Sequence, residues 1–124
     1  MATRRSALWV PERAEIIFIQ YSPALGGEMP DDHPMLVISA KAFADKTGIV
    51  VGFPMTHSDR HRDNPFAIAV PGAEGQAGYL LVHQPKSFDW RQRNARPHPW
   101  GTGHDKLLTA ALKRFDAVFS VCGH

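Results

Sequence analysis

The sequence has little of what marks a disulfide-bonded, exported or membrane-spanning protein. Cys122 is the only cysteine in 124 residues, which excludes an internal disulfide framework and a multi-thiolate zinc site and suits a reducing compartment. No apolar run reaches the roughly 18 residues that a membrane-spanning helix needs. Residues 1–15 contain arginines but no continuous apolar segment like that of a secretory signal. We therefore expect a soluble cytoplasmic protein without a membrane partner.

Motifs for a bound metal or a bound nucleotide are also missing. The seven histidines form no H-E-x-x-H sequence, and His57 and His61 lie in a polar loop without glycine, which makes a poor metal cage. The segment Pro71–Gly75 has two glycines but no Lys-Ser/Thr after them, so it is not a phosphate-binding loop. We expect no metal and no other cofactor. The net charge of +2 permits an anionic partner such as RNA without requiring one.

What is present is a series of short β-branched and aromatic runs separated by turn residues, which is typical of an antiparallel β protein. The expected strands lie at residues 15–21, 35–39, 48–54, 65–70 and 78–82, and residues 84–88 are expected to continue the pairing. Loops, turns or polar connections are expected at residues 22–33, 41–48, 57–64, 71–76 and 91–103.

One amphipathic helix is expected near the end of the chain. Its apolar face comprises positions 107, 108, 111, 112, 115, 118 and 119, with Thr102 or Gly103 near the cap and Gly123 just beyond the end. Several short strands followed by one helix favour a mainly β fold, a compact antiparallel barrel or half-barrel whose open side the helix covers. Residues 1–13 are expected to form an arm and residues 14–124 a single domain.

Four short motifs follow one another along the sequence. They are Tyr21-Ser22-Pro23 with Gly26-Gly27-Glu28, then His33-Pro34-Met35-Leu36-Val37-Ile38-Ser39, then Pro54-Met55-Thr56, then Gln84-Pro85-Lys86-Ser87-Phe88-Asp89 continued by Trp90-Arg91-Gln92-Arg93. In order and spacing, the chain from Ala14 onward resembles the MazF/PemK/Kid toxins, the ribonuclease halves of toxin–antitoxin pairs.

The resemblance implies a fold, an activity and partners. The fold is an SH3-like antiparallel barrel of the MazF/PemK/CcdB type, in a homodimer whose groove binds single-stranded RNA. The activity is sequence-selective, metal-independent cleavage of mRNA by the RNA's own 2′-hydroxyl, in which a base and an acid move the two protons. The partner is an acidic antitoxin whose disordered tail would lie in the RNA groove.

At two positions the chain departs from the family pattern, and both carry histidine. His33 stands where the family has its catalytic arginine, and His83 stands where the family has an aspartate. Because the unperturbed pKa of histidine is about 6.5, one ring can act as base and another as acid near neutral pH. We hypothesise a two-imidazole mechanism in which Thr56 donates its hydroxyl to the scissile phosphate and Lys86 supplies charge.

The candidate substrate-binding residues are Glu28, Arg60, Arg62, Gln84, Lys86, Trp90, Arg91 and Arg93. Three of these assignments have a purely structural alternative. Glu28 is either a loop carboxylate or a positioning group, and residues 56–64 form either a solvated hairpin tip or a contact to RNA phosphates. Trp90 either stacks on an unpaired base or belongs to the core.

Two rival functions are compatible with the same barrel. One is a catalytically silent RNA-binding or antitoxin-binding module, suggested by the changes at His33 and His83. The other is a toxin directed at gyrase, as in the related CcdB group. The match at residues 84–89 favours the ribonuclease branch over the gyrase-directed branch.

Overall fold

Seven β-strands and two α-helices make up the part of the chain that the computed structural model describes, which is residues 9–22, 31–71 and 77–120. In chain order these elements are β1 (Ile16–Ser22), β2 (Asp31–Val37), α1 (Lys41–Thr47), β3 (Ile49–Thr56), β4 (Ala67–Pro71), β5 (Ala77–Leu81), β6 (Lys86–Asp89), β7 (Arg96–Pro97) and α2 (Asp105–Val118). A single 3₁₀ turn, Asp59–His61, lies between β3 and β4.

The strands form one antiparallel sheet in the order β4-β5-β3-β2-β1-β7, and β6 also pairs with β3. β3 is the central strand, because it pairs with β2 through residues 52–54, with β6 through residues 49–52 and with β5 through residues 55 and 56. In the described ranges the edge strands β4 and β7 do not pair with each other, so the barrel is not strictly closed.

Gly52 lies where β2, β3 and β6 meet, opposite Val37 on one side and Lys86 on the other. A Cβ at this position would lie 2.5 Å from the Leu36 carbonyl oxygen and 2.6 Å from the Met35 Cγ. Both distances are far below van der Waals contact, so only glycine allows β2 to approach β3 this closely.

The two faces of the sheet are covered differently. One face packs against α2 and buries Ala14, Ile16, Leu36, Phe53, Met55, Leu80, Val82, Leu108 and Ala111. The opposite face packs against the N-terminal residues, α1 and the turn after β6, and buries Val10, Ile17, Ile19, Met35, Val37, Ala44, Val50 and Trp90. Because apolar side chains alternate along β1 and β2, each strand contributes to both cores.

The predicted antiparallel barrel with a terminal helix is confirmed, and all five predicted strands are present with shifted ends. Residues 84–88 do continue the pairing, since Lys86–Asp89 forms β6 against β3. The C-terminal helix is also confirmed; it begins at Asp105, and its cap is His104, directly after Gly103, without a side-chain capping bond.

Four sequence predictions are corrected in detail. The predicted polar connection at residues 41–48 contains helix α1, which the sequence did not indicate because the helix buries only Ala44 and leaves almost no periodic signal. Residues 31–33 belong to β2 rather than to a loop, and residues 96–97 form β7 inside the segment predicted as irregular. Residues 9–13 of the predicted arm include Val10, which is 7% exposed in the second core.

Several expectations concern residues outside the described ranges. These are the arm residues 1–8, the loop residues 23–30 with Glu28, the turn residues 72–76, and the segment 121–124 with Cys122 and Gly123. Among the residues that are described, no helix is long and apolar enough to span a membrane.

Candidate active site

The strand register places His33, Thr56 and Lys86 on one face of the sheet. Met35 pairs with Pro54, and Gly52 pairs with Lys86, and paired residues share a face. His33 is two residues from Met35 and Thr56 is two residues from Pro54, so both point to this same face. Continuing the β2–β3 register by two residues brings His33 level with Thr56. All three side chains are half-buried.

His33 lies in a small aromatic cluster at the end of β1. Its ring centroid is 4.8 Å from that of Tyr21, whose ring is in turn 5.5 Å from Phe88. The Tyr21 hydroxyl donates a 2.8 Å hydrogen bond to the Pro34 carbonyl, which fixes the tyrosine beside β2. The cluster therefore holds the His33 ring on the face that also carries Thr56 and Lys86.

Thr56 ends β3, where the chain turns into residues 57–64, which we call the basic loop after Arg60 and Arg62, although Asp59 and Asp63 balance their charge. Its Oγ1 accepts a 3.2 Å hydrogen bond from the Ser58 backbone N–H. This bond is the structural role that a strand-end threonine commonly has. A hydroxyl that accepts one bond still has its proton to donate, so the contact is compatible with a second, functional bond.

His83 lies in a different neighbourhood, in the turn between β5 and β6. Its Nε2 is 3.4 Å from Asn64 Nδ2 and 3.1 Å from Gln84 Nε2, and its ring lies 6.4 Å from that of His61. These contacts place the Nε2 of His83 between two side-chain amides, and its hydrogen-bond role there depends on the tautomer of the ring. The two rings thus contact different residues. His33 lies on the sheet face beside Tyr21, and His83 lies beside the basic loop.

The basic loop presents two exposed arginines. Arg62 forms a 3.4 Å ion pair with Asp59, in which both side chains are more than 60% exposed. Hydrogen bonding to Tyr79, and then the charge of Asp59, raise the pKa of Arg62. Arg60 is exposed as well, and its Nε lies 3.4 Å from His61 Nε2. An ion pair this exposed is weak, so both guanidinium groups are accessible to an anionic partner.

Trp90 is a core residue, which is one of the two alternatives that the sequence left open. It is 7% exposed, and its Nε1 donates a buried 2.9 Å hydrogen bond to the Ala44 carbonyl. The Arg91 guanidinium lies 4.5 Å over its ring. Because its ring is already covered by protein, Trp90 fits the core role and not the predicted role of stacking on a base.

Arg93 makes backbone contacts that the sequence did not indicate. Its Nη1 donates to the Gln20 and Tyr21 carbonyls, and its guanidinium lies 4.5 Å over the Phe88 ring. These contacts tie the turn after β6 to the end of β1. Arg93 thus supports the aromatic cluster around His33.

A forked ion pair between Arg96 and Asp32 lies on the opposite face from His33, because Asp32 and His33 are consecutive residues of a strand. The hydrogen bond to Asp32 raises the pKa of Arg96.

Sequence reasoning missed this pair and also missed Tyr21 as a site residue. The alternation Ile17, Ile19, Tyr21 was the available signal, since it puts Tyr21 on the face of the second core.

A metal was not expected from the sequence, and in residues 9–22, 31–71 and 77–120 no group of three or more His, Cys, Asp or Glu side chains is arranged to hold one. Positively charged side chains do lie in this region. In the described part of the chain, Lys86 lies on the site face, and Arg60 and Arg62 are exposed on the basic loop.

These features define a class of protein, an open antiparallel β-barrel with a C-terminal helix and with polar side chains of β2, β3 and β6 grouped beside the second core. A family model described as PemK-like, MazF-like toxin of type II toxin-antitoxin system matches residues 12–119. The endoribonuclease toxin MazF of Escherichia coli is 31% identical over 87 residues, which is 70% of this chain and 76% of that protein. The chain therefore belongs to the PemK-like, MazF-like toxins of type II toxin–antitoxin systems.

Solved structures share the fold. The crystal structure of MazF (Form-I) from Deinococcus radiodurans superposes with a TM-score of 0.73 at 24% identity, covering 91% of this chain and 99% of that chain. MazE–MazF (Form-II) from the same organism gives a TM-score of 0.76 at 24% identity, with 91% and 98% covered. At this identity the likeness supports the barrel and its terminal helix.

Proposed function

We propose that this toxin is a sequence-selective endoribonuclease that cleaves single-stranded mRNA through attack by the RNA's own 2′-hydroxyl, without a metal. The observation that carries the proposal is the shared face of His33, Thr56 and Lys86. This face combines a titratable ring, a hydroxyl donor and a cation, which are the groups that phosphodiester transfer needs. The name of the E. coli relative, an endoribonuclease, supports the same activity.

In the proposed reaction, one imidazole removes the proton of the 2′-hydroxyl and the freed oxygen attacks the adjacent phosphorus. The bond to the 5′-oxygen breaks, and the second imidazole delivers a proton to that leaving oxygen. The products are a 2′,3′-cyclic phosphate and a 5′-hydroxyl. His33 fills one role because it shares a face with Thr56, and His83 fills the other, so the RNA must pass from the barrel face toward the basic loop.

Charge on the phosphorane is stabilised by donors that are positioned before the reaction. Thr56 would donate its hydroxyl proton to a non-bridging oxygen while its lone pair keeps the Ser58 contact. Lys86 would neutralise part of the developing charge. Beyond the reacting phosphate, Arg60, Arg62, Gln84 and Arg91 would bind the strand, as would Glu28, and Arg93 would position Tyr21.

We further infer a homodimer whose groove binds the RNA, and an acidic antitoxin whose disordered tail occupies that groove in the neutralised state. Two observations support the antitoxin. The D. radiodurans neighbours include MazE–MazF complexes, and a mycobacterial endoribonuclease in complex with its cognate antitoxin shares the fold at a TM-score of 0.54 and 17% identity. Cytoplasmic RNA as substrate implies a cytoplasmic location.

A second candidate function is a catalytically silent barrel that binds RNA or the antitoxin. The observation that favours it is the separation of the two rings, since His33 contacts Tyr21 while His83 contacts Asn64 and Gln84. A pair of imidazoles works as base and acid only when both reach the same phosphodiester.

The test is cleavage of a long single-stranded RNA by the purified protein in EDTA between about pH 5 and 9. We expect fragments that end in 2′,3′-cyclic phosphate, and a fall of about 10²- to 10⁴-fold in rate for His33→Ala. His83→Ala and Thr56→Ala should also slow cleavage, and the limb of the pH profile that each histidine variant loses identifies its role.

His104→Ala is the matched control, because this histidine lies beside α2 and bonds to the Trp100 carbonyl. It should cleave at the wild-type rate. RNA binding without cleavage at any pH by the folded wild type would refute the enzyme and leave the silent barrel. Cleavage that survives both histidine substitutions would keep the enzyme and refute the two-imidazole mechanism.

A further inference from the structure

A pocket of about 490 Å³ lies between the N-terminal residues and the turn after β6. Trp9, Trp90, Arg91 and Asn94 line it together with residues 95–97. We propose that this pocket is an accessory subsite that binds one nucleotide of the RNA strand beyond the reacting phosphate, with the base against Trp9 and the phosphate against Arg91. The proposal rests on the proposed function, because it extends the same RNA path.

Trp9 supplies an oriented aromatic surface. Its Nε1 donates a 3.2 Å hydrogen bond to Glu15, a carboxylate that is 3% exposed and also accepts from the Glu12 backbone N–H. Its ring meets the buried Trp90 edge-on, at 5.8 Å and 89°. Trp9 is itself only half-buried. A ring held in place and partly exposed can stack on a base of any identity without first losing conformational freedom.

Arg91 supplies the charge for one phosphate. Its guanidinium stacks on Trp90 at 4.5 Å, its side chain is 53% exposed, and the guanidinium forms an ion pair with the Asp45 carboxylate at 3.9 Å. An exposed ion pair at this distance is weak, so a phosphate can replace the carboxylate. The planar fork of arginine also binds phosphate oxygens in pairs.

The backbone that carries Arg91 and Asn94 is fixed before any ligand binds. The Asp89 carboxylate accepts hydrogen bonds from the Arg91 and Gln92 backbone N–H groups at 3.1 and 3.0 Å. The Ala95 N–H donates to the Trp90 carbonyl at 3.0 Å. These bonds close the turn on which the pocket is built, and they leave the Asn94 amide exposed for a base edge.

The same turn connects the pocket to the candidate active site. Arg93, two residues after Arg91, donates to the Tyr21 carbonyl, and the Tyr21 ring lies 4.8 Å from His33. A strand bound at His33 therefore needs only to cross this turn to reach Trp9. The alternative occupant, an acidic peptide, fits less well, because Arg96 is already paired with Asp32 and a single available guanidinium matches a single phosphate.

The experiment measures binding of 5′-labelled, non-cleavable 2′-O-methyl RNAs of about 4 to 12 nucleotides to the full chain by fluorescence anisotropy. For the wild type we expect affinity to rise at the length at which the strand reaches the pocket. Trp9→Leu should remove this rise and weaken the longest RNA roughly tenfold, while Trp9→Phe keeps most of it. Phe119→Leu removes an exposed ring at the end of α2 and should bind as the wild type does.

Other outcomes overturn the proposal. Trp9→Leu binding that matches the wild type at every length would exclude the subsite, and so would a loss that is equal at all lengths, which indicates a structural role. Loss of antitoxin binding with RNA binding intact would assign the pocket to the antitoxin instead. A wild type that neither binds nor cleaves RNA would refute the proposed function itself.

A second measurement does not depend on the variants folding. Wild-type protein is photo-crosslinked to an RNA that carries 4-thiouridine, and the attached peptide is found by mass spectrometry. A crosslink to the peptide that contains Trp9 supports the subsite. Crosslinks confined to other peptides overturn it.

Discussion

Two arginine-rich segments of this chain look alike in sequence and differ in structure. One is the basic loop, residues 57–64, and the other is the turn after β6 with β7, residues 89–97, which we call the arginine turn. In the basic loop, the contacts that Arg60 and Arg62 make within the described ranges are with neighbours in the loop and with Tyr79. In the arginine turn, Arg93 and Arg96 bind residues of β1 and β2, some 64 to 73 positions away in the chain.

The difference shows what decides the role of an arginine. β1 ends with the carbonyls of Gln20 and Tyr21 turned toward the arginine turn, and Arg93 satisfies both. A carbonyl that is shielded from water and lacks a partner is costly, so an arginine that donates to a partly buried carbonyl stabilises the fold. In the described ranges, Arg60 and Arg62 of the basic loop do not bind a carbonyl of another strand in this way, and their guanidinium groups stay exposed. Arg93 and Arg96 of the arginine turn are therefore expected to control stability, and Arg60 and Arg62 of the basic loop to control RNA affinity.

The largest effect is expected for Arg93→Met, which keeps an apolar stem over Phe88 but removes the donors to β1. We predict that the free energy of unfolding falls by about 2 to 4 kcal/mol, because two carbonyls lose a charged donor and Phe88 loses its cation. Urea denaturation followed by circular dichroism measures it. Arg62→Gln is the control and should unfold as the wild type does. Equal stability of the two variants would break the distinction between the segments.

The strands and α2 could be predicted from the sequence because they bury continuous or periodic apolar surface. The run at Ile16–Ile19 and the positions 108 and 111 of α2 carry that signal directly. Helix α1 could not, since it buries only Ala44 and ends at Gly48, whose φ of 77° closes the last turn. A short exposed helix has nearly the composition of a loop.

The residues of the candidate active site were predictable in part, from the sequence motifs and not from buried apolar surface. The motifs pointed to His33, Thr56 and Lys86, but only the pairing of Met35 with Pro54 and of Gly52 with Lys86 puts them on one face. Register depends on how strands meet in space, and a shift of one residue would turn a side chain to the other face. The burial of Trp90 could not be predicted either, because it depends on a contact with Ala44, 46 residues earlier in the chain.

An intermediate effect is expected for the double variant Arg60→Gln, Arg62→Gln in the basic loop. We predict roughly tenfold weaker binding of a single-stranded RNA at low salt, and a decrease of about 1.4 in the slope of log affinity against log salt, since two phosphate contacts are lost. Anisotropy titrations at several salt concentrations measure both quantities. The matched control, Lys106→Gln with Lys113→Gln, removes two exposed charges from α2. If the control changes the slope as much, net charge and not the loop determines RNA affinity.

The smallest expected effect is a change of stability with pH, and it tests the same difference between the arginine turn and the basic loop. His98 directly follows the arginine turn, its Nδ1 accepts a 3.0 Å hydrogen bond from the Trp100 backbone N–H, and its ring lies 4.5 Å from Phe18. Burial, and then repulsion from His104, lower the pKa of His98 below its usual value near 6.5. The unfolded chain therefore binds the proton more readily, and stability is complete above about pH 6.5 and declines as the pH falls below it.

Urea denaturation at several pH values between about 7.5 and 5 measures this decline, which we expect to be smaller than the effect of Arg93→Met. His98→Gln should reduce it, because the amide does not titrate. His61→Gln is the control from the basic loop, where the imidazole lies beside Arg60 and His83, and it should leave the decline unchanged. The opposite result, in which His61→Gln removes the pH dependence and His98→Gln does not, would show that the basic loop stabilises the fold. The assignment of stability to the arginine turn and of RNA affinity to the basic loop would then hold for the arginines but not for the histidines.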